Sequence, residues 1–109
     1  MKISKEQLEQ VVPELKKKYG DDIHLITADG DQVIARVPSG EEYQRFLDMA
    51  ADDRKKTHAL DSLSRSCILF PAAAELDQLL AKRPGLTTSF GAKLTELAGA
   101  VEDVEAKKL

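Results

Sequence analysis

The sequence predicts an α+β fold: a mostly helical single domain with about five helices and one antiparallel β-hairpin near residues 23–37. Two observations carry this prediction. Apolar residues recur every three or four positions through most of the 109-residue chain, which is the period of an amphipathic helix. Between residues 23 and 37 this spacing gives way to two runs rich in β-branched residues. They flank Asp29-Gly30, a pair typical of tight hairpin turns.

Local signals predict where the first helices begin. Ser4 with Gln7 and Ser39 with Glu42 match the capping-box pattern, in which each side chain satisfies a free backbone amide of the other residue. Helices should therefore start just after each serine. Pro13 falls inside the first helical pattern and predicts either a kink or the start of a new turn there.

Proline divides the C-terminal half into further helices. Pro71 ends one helix and starts the next, and Pro84-Gly85 precedes the last helix, which is predicted from about residue 86 to residue 104. We assign residues 1–109 to one domain, with a helix and hairpin subregion at 1–37 and a helical subregion at 38–104. The predicted core comprises Tyr43, Phe46, Leu47, Leu60, Leu63, Leu76, Leu79, Phe90, Leu94 and Leu97.

Composition limits the classes of function. The net charge of −3 gives no global field that would attract nucleic acid or an anionic membrane. A single cysteine fits a reducing compartment, the first ten residues lack the apolar run of a signal peptide, and no run is long enough to span a bilayer. We therefore expect a cytoplasmic protein that binds neither nucleic acid nor membrane.

No set of residues suited to catalysis or metal binding stands out. His24 and His58 lack the three or four suitably spaced ligands that a zinc site needs. Cys67 falls on an apolar helical stripe, which predicts a buried thiol rather than a nucleophile. The two helices joined at residues 83–85 offer only Lys93 as a basic side chain in the second helix, too little to contact DNA bases. We expect no metal, no cofactor and no enzymatic activity.

An apolar seam marks the last predicted helix. Phe90, Leu94, Leu97, Val101 and Val104 follow the 4-3-4-3 spacing of a coiled-coil seam. Two heptads are too few for a coiled coil, so a stripe facing the core is one interpretation and a partner-binding surface is the other. The candidate partner-binding residues are Leu94, Leu97, Val101 and Val104, with the hairpin edge as the second candidate surface. The charges predicted around the seam are Glu102, Asp103, Glu105, Lys107 and Lys108.

The order of segments resembles that of tail assembly chaperones of tailed bacteriophages over about residues 33 to 99. The residues that carry the resemblance lie in four segments. They are a strand ending in a helix cap before an aromatic-rich helix (Val37-Pro38-Ser39 to Phe46), a helix ending in Cys67-Ile68-Leu69-Phe70-Pro71, a short Leu-rich helix closing on Pro84-Gly85-Leu86, and a last helix with Phe90-Gly91 and Glu96-Leu97-Ala98-Gly99.

The resemblance implies a non-structural protein that binds the tape-measure protein and assists tail-tube assembly in the host cytoplasm. It implies the tape-measure protein as the main partner, with the tail-tube protein and a homo-oligomer as further candidates. Two alternatives from other classes stay open. One is a small cytoplasmic adaptor or regulatory interaction domain without a phage role, and the other is a small enzyme whose site is completed by a partner chain.

Overall fold

The structure, a computed structural model, describes residues 1–101 and 104–109. Within them the chain forms five α-helices and one three-stranded sheet. The predicted α+β class, dominated by helix, is confirmed. A 3-10 turn, Lys56–His58, leads into the third helix. The elements in chain order are α1 (Lys5–Tyr19), β1 (Ile23–Ala28), β2 (Asp31–Arg36), α2 (Gly40–Ala51), α3 (Ala59–Cys67), β3 (Ile68–Phe70), α4 (Ala73–Lys82) and α5 (Leu86–Leu97).

Both predicted capping boxes are present. The backbone N–H of Gln7 donates to Ser4 Oγ and that of Glu42 donates to Ser39 Oγ, each at 3.1 Å. The Gln7 and Glu42 side chains accept the backbone N–H of the two serines in return. These bonds satisfy amides that a first helical turn leaves free, and so fix where α1 and α2 begin. Pro13 lies inside α1, which runs on as one helix.

The predicted hairpin is confirmed as the pair β1–β2. Its strands pair antiparallel in continuous register from Ile23 opposite Arg36 to Ala28 opposite Asp31. The two residues between them, Asp29 and Gly30, have φ of 48° and 84°. Positive φ at both positions defines a type I′ turn, whose twist matches that of the strands it joins.

The third strand was not predicted. Residues 68–70 were expected to continue the preceding helix up to Pro71, but β3 instead pairs antiparallel with β2, with Ile34 opposite Phe70. The sheet order is therefore β1-β2-β3, and β2 is the central strand. Central placement explains why Val33, Ile34 and Ala35 are all buried, although they alternate between the two faces of the sheet.

The hydrophobic core lies between one face of the sheet and helices α3, α4 and α5. Among the residues predicted for this core, four are buried and five are half-buried, and one prediction is wrong. Leu47 is 42% exposed, because α2 packs mainly on α3 and on the 3-10 turn. These two elements do not cover the whole apolar stripe of α2. The buried four are Leu63, Leu76, Phe90 and Leu94, and the half-buried five are Tyr43, Phe46, Leu60, Leu79 and Leu97.

Helices α3 and α5 approach each other closely at Gly91. A Cβ atom placed on this glycine would lie 2.8 Å from Leu60 Cδ2 and 2.9 Å from Leu60 Cβ. The absence of a side chain at Gly91 is therefore what permits the spacing of the two helices. Among the described residues, no helix is both long and apolar enough to cross a membrane.

Candidate functional site

Cys67 lies at the end of α3 and is fully buried, as predicted. Burial raises the pKa of its thiol to about 11, because a thiolate loses its hydration there; the nearby Glu42 carboxylate raises the pKa further. A nucleophilic cysteine requires a lowered pKa and access to its target. The environment of Cys67 provides neither, so the thiol serves as a small apolar group of the core.

The native protein is expected to react with a soluble aromatic disulfide reagent about 100-fold more slowly than the same chain unfolded in urea, since burial reduces the thiolate fraction and excludes the reagent. The release of the coloured thiol at mildly alkaline pH measures both rates. Equal rates in the folded and unfolded samples would show that Cys67 reaches solvent in the native state.

A charged clamp joins β2, α2 and α3 near Cys67. Arg36 donates from Nη1 and Nη2 to the two carboxylate oxygens of Glu42, at 2.6 and 2.7 Å, and Nη2 also donates to the Ser66 carbonyl oxygen at 2.8 Å. The hydrogen bonds from Arg36 lower the pKa of Glu42 to about 2. Every charge of this clamp has a partner, so the pair holds elements together and leaves no group free to act on a substrate.

A second set of paired charges lies at the turn end of the hairpin. Asp31 is buried and accepts hydrogen bonds from the Met1 amino group and from Arg83, which lower its pKa. Arg83 also donates to Asp29 at 3.0 Å. Two open depressions, of about 590 and 520 Å³, share Arg83 as a lining residue. Its guanidinium is occupied by Asp29 and Asp31, so Arg83 itself is not free to bind an anionic ligand in either depression.

The histidines stand apart from any ligand set. His24 makes a 2.8 Å contact with Asp22 at the surface, and His58 ends the 3-10 turn as an exposed residue. Across the part of the chain that the structure describes, no three His, Cys, Asp or Glu side chains come together in a way that could hold a metal ion.

The predicted apolar seam is not a continuous helix. Helix α5 ends at Leu97 rather than at residue 104, because Gly99 adopts a φ of +105°. The backbone N–H of Gly99 donates to Glu96 O and that of Ala100 to Thr95 O, both at 3.0 Å. This is the Schellman pattern that commonly terminates helices at a glycine. The glycine after Leu97-Ala98 carries that signal in the sequence, although the apolar spacing continues past it to Val101 and Val104.

The four candidate partner-binding residues consequently have different environments. Leu94 was a candidate for partner binding, but it is fully buried and belongs to the core. Its side chain is therefore not available to a partner. Leu97 is half-buried at the end of α5. Val101 and Val104 lie beyond the helix and are 52% and 76% exposed. Of the charges predicted around the seam, Glu102 and Asp103 lie outside the described residues.

Beside Leu97 a cleft of about 270 Å³ is lined by four consecutive residues of β1. It brings the end of the seam together with the hairpin edge, which are the two surfaces that the sequence singled out. Leu25 in this cleft is 44% exposed. Its exposure was not predicted, because both faces of β1 carry apolar residues and the pattern alone does not say which face is covered. The cleft is lined by His24, Leu25, Ile26, Thr27, Lys93 and Leu97.

The fold and the cleft define a small α+β domain whose sheet ends in an open edge beside an apolar helix end. Residues 15–107 match the family model described as "Domain of unknown function (DUF6848)", and the chain belongs to this family. A solved structure of an uncharacterised protein from Bacillus stearothermophilus is similar, with a TM-score of 0.74 and 28% sequence identity over 88% of this chain and 99% of that one. No curated protein matches the chain.

Proposed function

We propose that this protein is a tail assembly chaperone of a tailed bacteriophage, which binds the tape-measure protein in the host cytoplasm and assists assembly of the tail tube. The segment order of residues 33–99 supports the proposal. The observation that carries it is the exposure of two valines, Val101 and Val104, just beyond the half-buried Leu97. A chaperone of this kind needs exposed apolar surface next to charged residues, so that it holds a client without aggregating.

The exposed side chains of Val101 and Val104 are suited to binding a client that offers an apolar stripe. Burying the two valines against such a stripe would contribute about 3 kcal/mol before the cost of association. Glu105, Lys107 and Lys108 follow them and are exposed, so the apolar contact would have a charged rim. Leu97 extends this surface towards the cleft.

Replacing Val101 and Val104 together with Asp should lower the recovery of a soluble complex with the tape-measure protein at least tenfold and leave the fold intact, because both side chains lie outside the core. Co-expression with the tape-measure protein, followed by quantification of the co-purified complex, measures the effect. The double variant Ala106→Asp, Leu109→Asp is the matched control, since it adds the same charge to exposed positions of the same segment.

Two outcomes contradict different parts of the proposal. Equal recovery with the valine variant and with its control would show that this segment is not the client surface. Equal tape-measure solubility with and without the wild-type chain would remove the chaperone function itself and favour the alternative of a small adaptor or regulatory domain. A gene position between a tail-tube gene and a gene for a long helical tape-measure protein is the corresponding expectation for the genome.

A further inference from the structure

The outer edge of β1 has no strand beside it. In the sheet order β1-β2-β3, β1 pairs with β2 on one side only. Among the described residues, the backbone of 23–28 makes no hydrogen bond outside its ladder with β2. The other edge strand, β3, has only three residues, whereas β1 has six. The sheet therefore presents one edge long enough to pair with another strand.

The register of the hairpin identifies which residues of β1 point their backbone groups outward. In a two-residue hairpin the pair that closes the turn is hydrogen-bonded, here Ala28 with Asp31, and the pattern alternates along the strands. The N–H and C=O of Ala28, Ile26 and His24 consequently face β2. Those of Ile23, Leu25 and Thr27 face away from it, and they are placed symmetrically about Leu25.

The edge also lacks the features that keep most edge strands from pairing. Residues 23–28 contain no proline and no Lys, Arg, Asp or Glu, and the β1–β2 register runs without a bulge. Leu25 is 44% exposed on the face of the sheet opposite to the main core. Proteins usually protect an exposed edge with charge, proline or a bulge, and an edge without these is a pairing site.

We propose that β1 pairs antiparallel with β1 of a second copy of this chain, about a two-fold axis at Leu25. This register places Leu25 opposite Leu25 of the copy, and Ile23 opposite Thr27. All three residues with outward backbone groups then form hydrogen-bonded pairs, and the two sheets join into one of six strands. The two-fold axis stands perpendicular to the sheet, so both α5 helices lie on the same side. The proposal does not rest on the chaperone function.

The symmetry and the charges of β1 favour a second copy as the occupant. An isologous interface requires a surface that complements itself. The outward backbone groups of β1 complement themselves about their midpoint at Leu25. The paired segment is free of carboxylates and basic side chains apart from His24, so no like charges meet within it. Asp29, at its end, is bonded to Arg83. Asp21 and Asp22 at the other end approach Asp29 of the copy, so added salt should strengthen the dimer by screening them.

Sedimentation velocity over a concentration series tests the proposal. We expect the wild type to reach twice its 12.0 kDa chain mass. Leu25→Lys should raise the dimer Kd at least tenfold, since a lysine at the axis would meet the same charge from its copy. Leu47→Lys is the matched control and should leave the dimer intact, because Leu47 has nearly the same exposure, 42% against 44%, but lies on α2. Circular dichroism checks that both variants fold.

Oxidative cross-linking tests the register independently of the lysine variants. Leu25→Cys should form a covalent dimer, because its Cα atoms would lie about 5.5 Å apart, within disulfide range. Thr27→Cys should not, since its two copies would lie about 14 Å apart. The buried Cys67 gives no background. The proposal is overturned by a wild type that stays monomeric up to about 1 mM, by a dimer that Leu25→Lys leaves unchanged, or by cross-linking through residue 27 instead of residue 25.

Discussion

Replacing Glu42 with Gln is expected to lower the free energy of unfolding by about 3 kcal/mol at neutral pH. The carboxylate accepts both hydrogen bonds of the Arg36 fork, at 2.6 and 2.7 Å, and the Ser39 backbone N–H at 2.9 Å. Glutamine has the same shape and keeps the bond to Ser39, but it presents one acceptor and no charge. Arg36, which is only 27% exposed, would then keep its charge without a carboxylate beside it, with the Ser66 carbonyl oxygen as its remaining acceptor.

The same substitution should remove part of the acid sensitivity of the protein. The pKa of Glu42 falls from its ordinary 4.5 to about 2 in the folded chain, chiefly through Arg36. The unfolded chain therefore takes up the proton first as pH falls. The stabilisation from this pair is fully present above about pH 4.5 and is lost progressively as the pH approaches 2. The difference between wild type and Glu42→Gln should shrink over the same interval.

Urea unfolding of both proteins at a series of pH values measures this difference. Glu41→Gln is the matched control, since Glu41 is the neighbouring residue of the same helix turn and is exposed. It should change the stability by less than about 0.5 kcal/mol at every pH. A gap between wild type and Glu42→Gln that stays constant from neutral pH to pH 2 would contradict the assigned role of the ion pair.

A second large effect is expected where α3 and α5 meet. Gly91→Ala should destabilise the protein by about 2 kcal/mol, because the added methyl group would lie 2.8–2.9 Å from two atoms of Leu60. Leu60 Cβ is attached directly to the α3 backbone, so relief requires the two helices to move apart. The higher helix propensity of alanine favours the variant by about 1 kcal/mol and makes the sign of the net effect informative.

Thermal and urea unfolding measure the change, with Gly40→Ala as the control. Gly40 is also a helical glycine, but nothing lies within 4 Å of a Cβ atom placed there. This control should therefore be neutral or slightly stabilising. If Gly91→Ala were as stable as wild type, the close contact between α3 and α5 would not constrain the packing of the core.

Features that depend on neighbouring residues were predictable from the sequence. The capping boxes at Ser4 and Ser39 and the Asp-Gly turn each act within a few residues, and all three occur where their patterns place them. The burial of Cys67 followed from its position on a helical stripe. In each case the local physical signal does not depend on how distant segments pack.

Features that depend on distant segments were not predictable in the same way. Residues 68–70 adopt strand geometry because β2, more than thirty residues earlier, offers them hydrogen-bond partners. Leu47 is exposed because α2 has few neighbours, which no pattern within α2 reveals. For the candidate site, the sequence indicated the hairpin edge and Leu97, but that they line one cleft follows only from the packing of α5 beside β1.

The burial of the side chains indicates that α1 is held less firmly than the rest of the domain. None of its fifteen side chains is buried, and the nearest firm anchor is Ile3, which precedes it and donates its N–H to the Gln32 side chain. Opening α1 would expose apolar side chains that are only half-buried, whereas opening β2 would expose the centre of the core. Local unfolding of the first helix is therefore expected to cost less free energy than global unfolding.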